Sequence, residues 1–286
     1  MSISGVVAML RGNPMHAVGD DGRMALSDHL RELRARLMKA MLVLVSLFVV
    51  MLFFYDTSRL GLPSLLELVL GPYEDAVRKL GQDVESNAYI KGAGGPLLLQ
   101  LKLSAVAAVV LSAPYWIYQL WAFIVPGLHP QERKWTRVFA AVAGPLFFAG
   151  VAIGYYVLPK GLEVLIGFTP ESLQNLVEFG EYFSFLTRML LVFGIGFEIP
   201  LFVVMLNLAG IVSGAAIGRH RPWIIIGTFV FAAVATPSTD PFGMLMLAIP
   251  MLVLFVVAEI VARFLDKVRG RGAHRPQVGD DELSPL

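Results

Sequence analysis

"SDHLRELRARLMKAMLVLVSLFVVMLFF", residues Ser27 to Phe54, changes character part-way along. Charges stand at Asp28, Arg31, Glu32, Arg34, Arg36 and Lys39, and none occurs from Ala40 to Phe54. The uncharged part is apolar enough to open a first membrane-spanning helix. The charged part extends that helix on one side, with acids set among arginines. It is either a basic anchor that orients the helix or a surface that another charged chain reads. Leu26, Leu30, Leu33 and Leu37 recur at helical spacing and form one apolar stripe, along the membrane surface or the helix bundle. Ser27 is a natural N-cap. Glu32 and Arg36 make an i,i+4 pair, worth roughly 0.2–0.5 kcal/mol on a wet face.

The rest of the chain is as apolar. Of 286 residues, 56% are hydrophobic and only 16% charged, with a mean hydropathy of +0.69. Soluble domains carry more charge, so the composition is that of a polytopic, all-α membrane protein. No cysteine is present, which excludes disulfides, thiolate metal sites and cysteine nucleophiles. His16, His29, His129, His220 and His274 are scattered without ligand spacing. No cofactor, metal or nucleic-acid partner is expected. Residues 1–24 lack the apolar core of a cleavable signal peptide, since "GVVAML" is short and Arg11 follows it. They read as a disordered tail, with Met24 as an alternative start.

Six spans are expected near residues 38–55, 97–124, 138–158, 182–208, 223–237 and 242–261. Residues 25–262 then form one membrane domain, followed by a tail over 263–286. Between the first two spans, "LPSLLELVL" and "EDAVRKLG" read as two short amphipathic helices lying on the surface. Lysine and arginine set the orientation. Sixteen of the 23 lie in the N-terminal tail with the charged start of the first helix, the 125–137 and 209–222 loops and the C-terminal tail. Five lie in the opposite loops, so both termini are expected to be cytoplasmic. "PWIIIGTFVFAAVATP" offers about 15 helical residues, ~22 Å against a ~30 Å hydrocarbon core. Pro114, Pro145, Pro200 and Pro250 are expected to kink their spans. Short and bent helices together give a concave bundle.

Charges in the apolar region need reasons, because each costs ~2.5–3.5 kcal/mol on insertion scales. Lys102 and Arg188 lie near the outer ends of their spans and can snorkel outward. Glu198, in "FGIGFEIPLF", lies ~15 Å along the helix from Arg188, too deep to snorkel. It is either protonated and bonded inside the bundle or paired with another protein's helix. Asp240, in "ATPSTDPFG", belongs to a tight outer turn, and Glu132, in "GLHPQERKW", to a short inner loop. A cationic peptide lying across Glu32 and Glu132 would meet two carboxylates, which suit arginine better than lysine. Spacing alone does not bring those two together. Ser112, Ser184 and Ser213 stand alone, and no GxxxxGK[ST], HExxH or GxSxG occurs. The residues alone leave a receptor, a secondary transporter using Glu198 as proton carrier, and an intramembrane enzyme as readings.

"DHLRELRARL", "SAPYWIYQLWAFIVPGLHPQERK", "FGIGFEIPLFVVMLNLAGIVS", "RPWIIIGTFVFAAVATPSTDPF" and "LAIPMLVLFVVAEIVAR" occur in this order between Leu26 and Asp266. With these motifs the sequence resembles the TatC family, the multispanning subunit of the twin-arginine protein translocase. The outer turn and the long N-terminal tail look most like actinobacterial members. The resemblance implies a plasma-membrane receptor, without catalytic activity, for the twin-arginine signal peptides of proteins exported folded. It implies that Glu32 and Glu132 recognise the arginine pair, with Arg34 and Phe123 also at signal-peptide positions. Glu198 matches the family's intramembrane glutamate, implying contact with single-span TatA-type and TatB-type partners. Gln119 and Tyr155 match polar positions facing the concavity, Pro72 an outer-loop proline and Asp240 an outer-turn acid. "PSTDP" differs in length from the "PPD" of some members. Transport energy is expected from the protonmotive force, with partner oligomers supplying the passage. The short fifth and sixth spans fit a protein that thins the bilayer locally.

Overall fold

The computed structural model describes residues 26–55, 63–79, 89–124, 133–169, 177–236 and 241–269. Among them are nine α-helices and no strand. These are α1 (Leu26–Phe53), α2 (Leu65–Lys79), α3 (Gly95–Leu111), α4 (Ala113–Ile124), α5 (Arg133–Gly167), α6 (Phe179–Leu208), α7 (Gly214–Arg219), α8 (Arg221–Ala235) and α9 (Pro241–Val268). Four of them, α1, α5, α6 and α9, are long and apolar enough to cross a membrane. Helices α3 and α4 form one apolar unit bent by 54°. Helix α8, with 15 residues, is short as expected, but α9, expected to be short as well, runs for 28 residues because its apolar run continues into the charged segment at Arg263–Lys267.

The bend has a local cause. Pro114 has no N–H and disfavours helical geometry before it, so the helix breaks at Ser112. The carbonyl of Val109 is taken over by Ser112 Oγ and Trp116 Nε1, each donating at 3.1 Å. Pro145, Pro200 and Pro250 lie inside continuous helices and divide none of them. The two short surface helices expected near residues 64–80 are one helix, α2, running through Pro72. Its start is a capping box: Ser64 N–H donates to Glu67 Oε2 (2.8 Å) and Glu67 N–H to Ser64 Oγ (3.2 Å). It is not a purely surface element, since Pro72, Tyr73 and Ala76 are buried.

Helices α5 and α6 are the spine, and small residues let them touch. A Cβ on Gly150 would stand 2.5 Å from the carbonyl oxygen of Phe193, and one on Gly194 would stand 2.6 Å from Phe147 Cε2. The fully buried rings of Phe147 and Phe193 fill the space so created. Close packing matters here because a bilayer supplies little hydrophobic drive between helices. Outer faces are apolar too: none of the α1 span is fully buried, and Met41, Val45 and Val49 are exposed. Such a face is stable against lipid and not against water. Leu30, Leu33 and Leu37 are also exposed, which puts the leucine stripe outward and not into the bundle. Ser27 is already helical in the described part of α1, so it is not the cap expected from sequence.

Gly150→Ala should therefore destabilise the detergent-solubilised protein by about 1–3 kcal/mol, because the backbone it meets cannot step aside. Gly227, with open space around its Cβ position, should accept alanine at no cost. Thermal unfolding of the two variants tests this. Equal midpoints would contradict the close α5–α6 approach.

Candidate functional site

The starts of α1, α5 and α8 gather at one end with the ends of α4, α6 and α9. Two observations tie this end together: Arg36 on α1 donates to Gln119 on α4 (3.4 Å), and Asn207 on α6 donates to Asp266 on α9 (2.9 Å). Glu32 sits here. Its Oε1 accepts from Arg36 Nε at 2.9 Å, one helical turn on. The two side chains keep 21% and 23% of their exposure, so the pair is neither dry nor freely solvated. Gln119 is buried and presents its Oε1 to the same guanidinium. The charged start of α1 therefore contains a carboxylate that already holds a guanidinium, backed by a buried amide from another helix. Arg34 is exposed on the same helix, and Phe123 is half-buried near the end of α4. Two residues before Phe123, the buried Trp121 stacks on Phe202 with centroids 5.7 Å apart.

Glu32 and Gln119 are thus brought together, with Arg36 between them. Sequence reasoning treated Arg36 only as an ion-pair partner; its reach to Gln119 depends on the α3–α4 bend. Glu132 and Asp240 lie outside the described residues. Glu198 is part-way along α6, and both its carboxylate oxygens are buried without a hydrogen-bond partner among the described residues. Of the two readings from sequence, the described residues offer no internal partner. Lys102 and Arg188 are exposed, in keeping with snorkelling. Ser112 and Ser184 bond to backbone carbonyls, and Ser213 caps α7 by accepting from Ala216 N–H at 3.1 Å.

A polar latch that the sequence did not mark fastens the end of α6. Gly210, at φ +76°, ends the helix in the left-handed conformation that glycine tolerates. Asp266 accepts from Asn207 Nδ2 (2.9 Å) and from the Gly214 N–H (2.6 Å), and Arg269 Nη1 donates to the Leu208 carbonyl (2.6 Å). Asp266 lies in the last turn of α9 and Arg269 just past its end. A feature four residues apart on one helix is readable; one joining residues 59 or 61 positions apart is not.

At the opposite end, Tyr155 and Pro72 prove to be one device. Proline removes the N–H that would bond the carbonyl four residues earlier, here Leu68. Tyr155 Oη donates to that Leu68 carbonyl at 2.8 Å, and Tyr182 Oη donates to the Val69 carbonyl at 2.7 Å. Both tyrosines come from the spine helices, so they pin α2 across the mouth of a concavity of about 430 Å³. Apolar residues of α2, α3, α5 and α6 line it, among them Leu65, Leu103, Phe148 and Leu186. Tyr155 is among the residues lining this concavity, and its hydroxyl is taken by the Leu68 carbonyl.

An all-helical bundle with lipid-compatible outer faces and a bent, concave wall defines a polytopic membrane protein. The family model for the Sec-independent protein translocase protein TatC matches residues 28–250. The chain is 42% identical to the TatC of Frankia casuarinae, covering 93% of this chain and 74% of the relative. It is 36% identical to the TatC of Corynebacterium kroppenstedtii over 93% of this chain and 68% of that one. For Escherichia coli K12 the identity is 31%, over 88% and 92% of the two chains. A crystal structure of the twin-arginine translocase receptor TatC matches with a TM-score of 0.65 at 26% identity, covering 82% of this chain and 98% of the other. The chain belongs to the TatC family. It is a subunit of the Sec-independent, twin-arginine protein translocase and not an enzyme.

The tyrosine–proline device makes a specific prediction. Tyr155→Phe should destabilise the protein by about 0.5–1.5 kcal/mol, the net worth of one hydrogen bond to a carbonyl that stays partly exposed. In a Pro72→Ala background, where residue 72 regains an N–H for the Leu68 carbonyl, the same change should cost much less. Additive losses in this double-mutant cycle would contradict the coupling.

Proposed function

We propose that this subunit is the receptor for twin-arginine signal peptides, and that Glu32 and Glu132 read the arginine pair. The observation that carries the reading is the Glu32 carboxylate holding the Arg36 guanidinium, with the buried Gln119 amide behind it. Arg36 shows which chemistry the seat accepts. An incoming arginine replaces it, using the paired N–H donors that lysine lacks. Glu132 directly precedes α5, and in this reading it takes the second arginine. Arg34 and Phe123 line the approach, the first exposed and the second half-buried.

Further parts of the reading follow from the same arrangement. The chain crosses the bacterial plasma membrane six times, with α3–α4 as one bent crossing and α8 as the short fifth. The basic helix ends share one side, which supports both termini being cytoplasmic. Residues 25–262 are then the membrane domain between cytoplasmic tails. Glu198, with two buried and unpartnered oxygens, is the contact for a polar group on a TatA-type or TatB-type helix. The chain nucleates assembly of those single-span subunits, and the protonmotive force drives export. Asp240 belongs to the outer turn between α8 and α9.

The test is binding of a twin-arginine signal peptide to the detergent-solubilised protein, beside the same peptide with both arginines changed to lysine. Arginine should be preferred, and Glu32→Gln or Glu132→Gln should each remove the preference. Equal binding of both peptides to the unaltered protein would overturn the assignment.

A further inference from the structure

A second carboxylate–guanidinium cluster stands where α7, α8 and α9 meet, and neither acid recognition nor partner contact uses it. Glu259 is only 4% exposed. Arg221 donates to it twice, Nε to Oε2 at 2.6 Å and Nη2 to Oε1 at 2.8 Å, and Arg263 Nε donates to Oε1 at 2.8 Å. One buried acid therefore fixes two guanidinium groups whose side chains are 62% and 54% exposed. The three groups together keep one positive charge, and the bonds to Glu259 leave outward N–H donors on both arginines. Helix α7 closes in from behind with bare backbone. A Cβ on Gly218 would stand 2.8 Å from Glu259 Oε1 and collide with the Arg263 guanidinium.

Beside the cluster, α8 and α9 leave an apolar cleft of about 130 Å³. Ile224, Ile225, Leu252, Phe255 and Val256 line it, and Arg221 with Glu259 closes one end. Arg219 and Trp223 are exposed on either side of Arg221, a basic and aromatic pairing suited to the headgroup level of a bilayer. The cleft is far too narrow for a helix, which with its side chains is ~10–12 Å across. Part of a hydrocarbon chain fits it, and a free anion gains nothing from it.

We propose that this is a binding site for an anionic phospholipid. The Arg221 and Arg263 guanidinium groups hold the headgroup phosphate, and one acyl chain enters the cleft between α8 and α9. The buried Glu259 orients both arginines, and their residual positive charge disfavours headgroups that carry a cation of their own. Because α8 spans only ~22 Å, a lipid fixed at its start would also set its depth in the bilayer.

Native mass spectrometry of the full chain in detergent tests this, with phosphatidylglycerol and phosphatidylcholine offered separately and inorganic phosphate as competitor. Phosphatidylglycerol should be retained roughly fivefold better, the factor expected for about one net basic contact. Val256→Phe fills the exposed side of the cleft while leaving the three charged groups of the cluster in place, and it should abolish that advantage. Arg221→Gln and Arg263→Gln should lower it too, if thermal unfolding shows them folded. Equal retention of the two lipids, or unchanged retention in Val256→Phe, would overturn the proposal. Displacement of the lipid by millimolar phosphate would do so as well, leaving an anion site with no acyl chain.

Discussion

A polar group released inside a bilayer has no water to turn to, and this constraint shapes every departure from a plain helical bundle here. Where Pro114 breaks α3 from α4, Ser112 and Trp116 take the freed Val109 carbonyl. Where Pro72 sits inside α2, the Tyr155 hydroxyl reaches across from α5 to the carbonyl that lost its donor. At the end of α6, Arg269 covers the Leu208 carbonyl. The bends thus persist because side chains from neighbouring helices complete the backbone.

The same constraint sorts the carboxylates by what they can do. Glu259 is buried against two arginines, and removing both would strand its charge in the interior, so this cluster is fixed. Glu32 is partly exposed and has one resident arginine from its own helix. A pair of that kind contributes roughly 0.2–1 kcal/mol, small enough for an incoming arginine to exchange with it. Glu198 stands at the other extreme, with no described partner at all, and is suited to a partner that arrives later. In the proposed reading, one residue type serves as a fixed brace, an exchangeable seat and an open contact, according to burial and neighbours.

Much of this was legible in the chain. The spans, the short α8 and the i,i+4 pairing of Glu32 with Arg36 follow from hydropathy and helical spacing, both local properties. The family motifs carried the choice of receptor over transporter, which the residues alone left open. The merging of two expected surface helices into α2 was missed because Gly71–Pro72 reads as a break. Its repair comes from Tyr155 and Tyr182, far along the sequence. Gln119 behind Arg36 and Asp266 beneath α6 and α7 were invisible for the same reason: each depends on a contact made by the fold and not by spacing.

The central claim is that Glu32 is a guanidinium seat kept filled by Arg36 until a signal peptide displaces it. Its most direct measurement is the affinity of a twin-arginine signal peptide for the Arg36→Gln protein, with overall folding checked by thermal unfolding. Emptying the seat removes the competitor, so the account predicts tighter binding, by up to about fivefold for a pair of this exposure. Weaker binding in a folded Arg36→Gln protein would mean that Arg36 supports the peptide and does not compete with it, and the exchange account would be wrong.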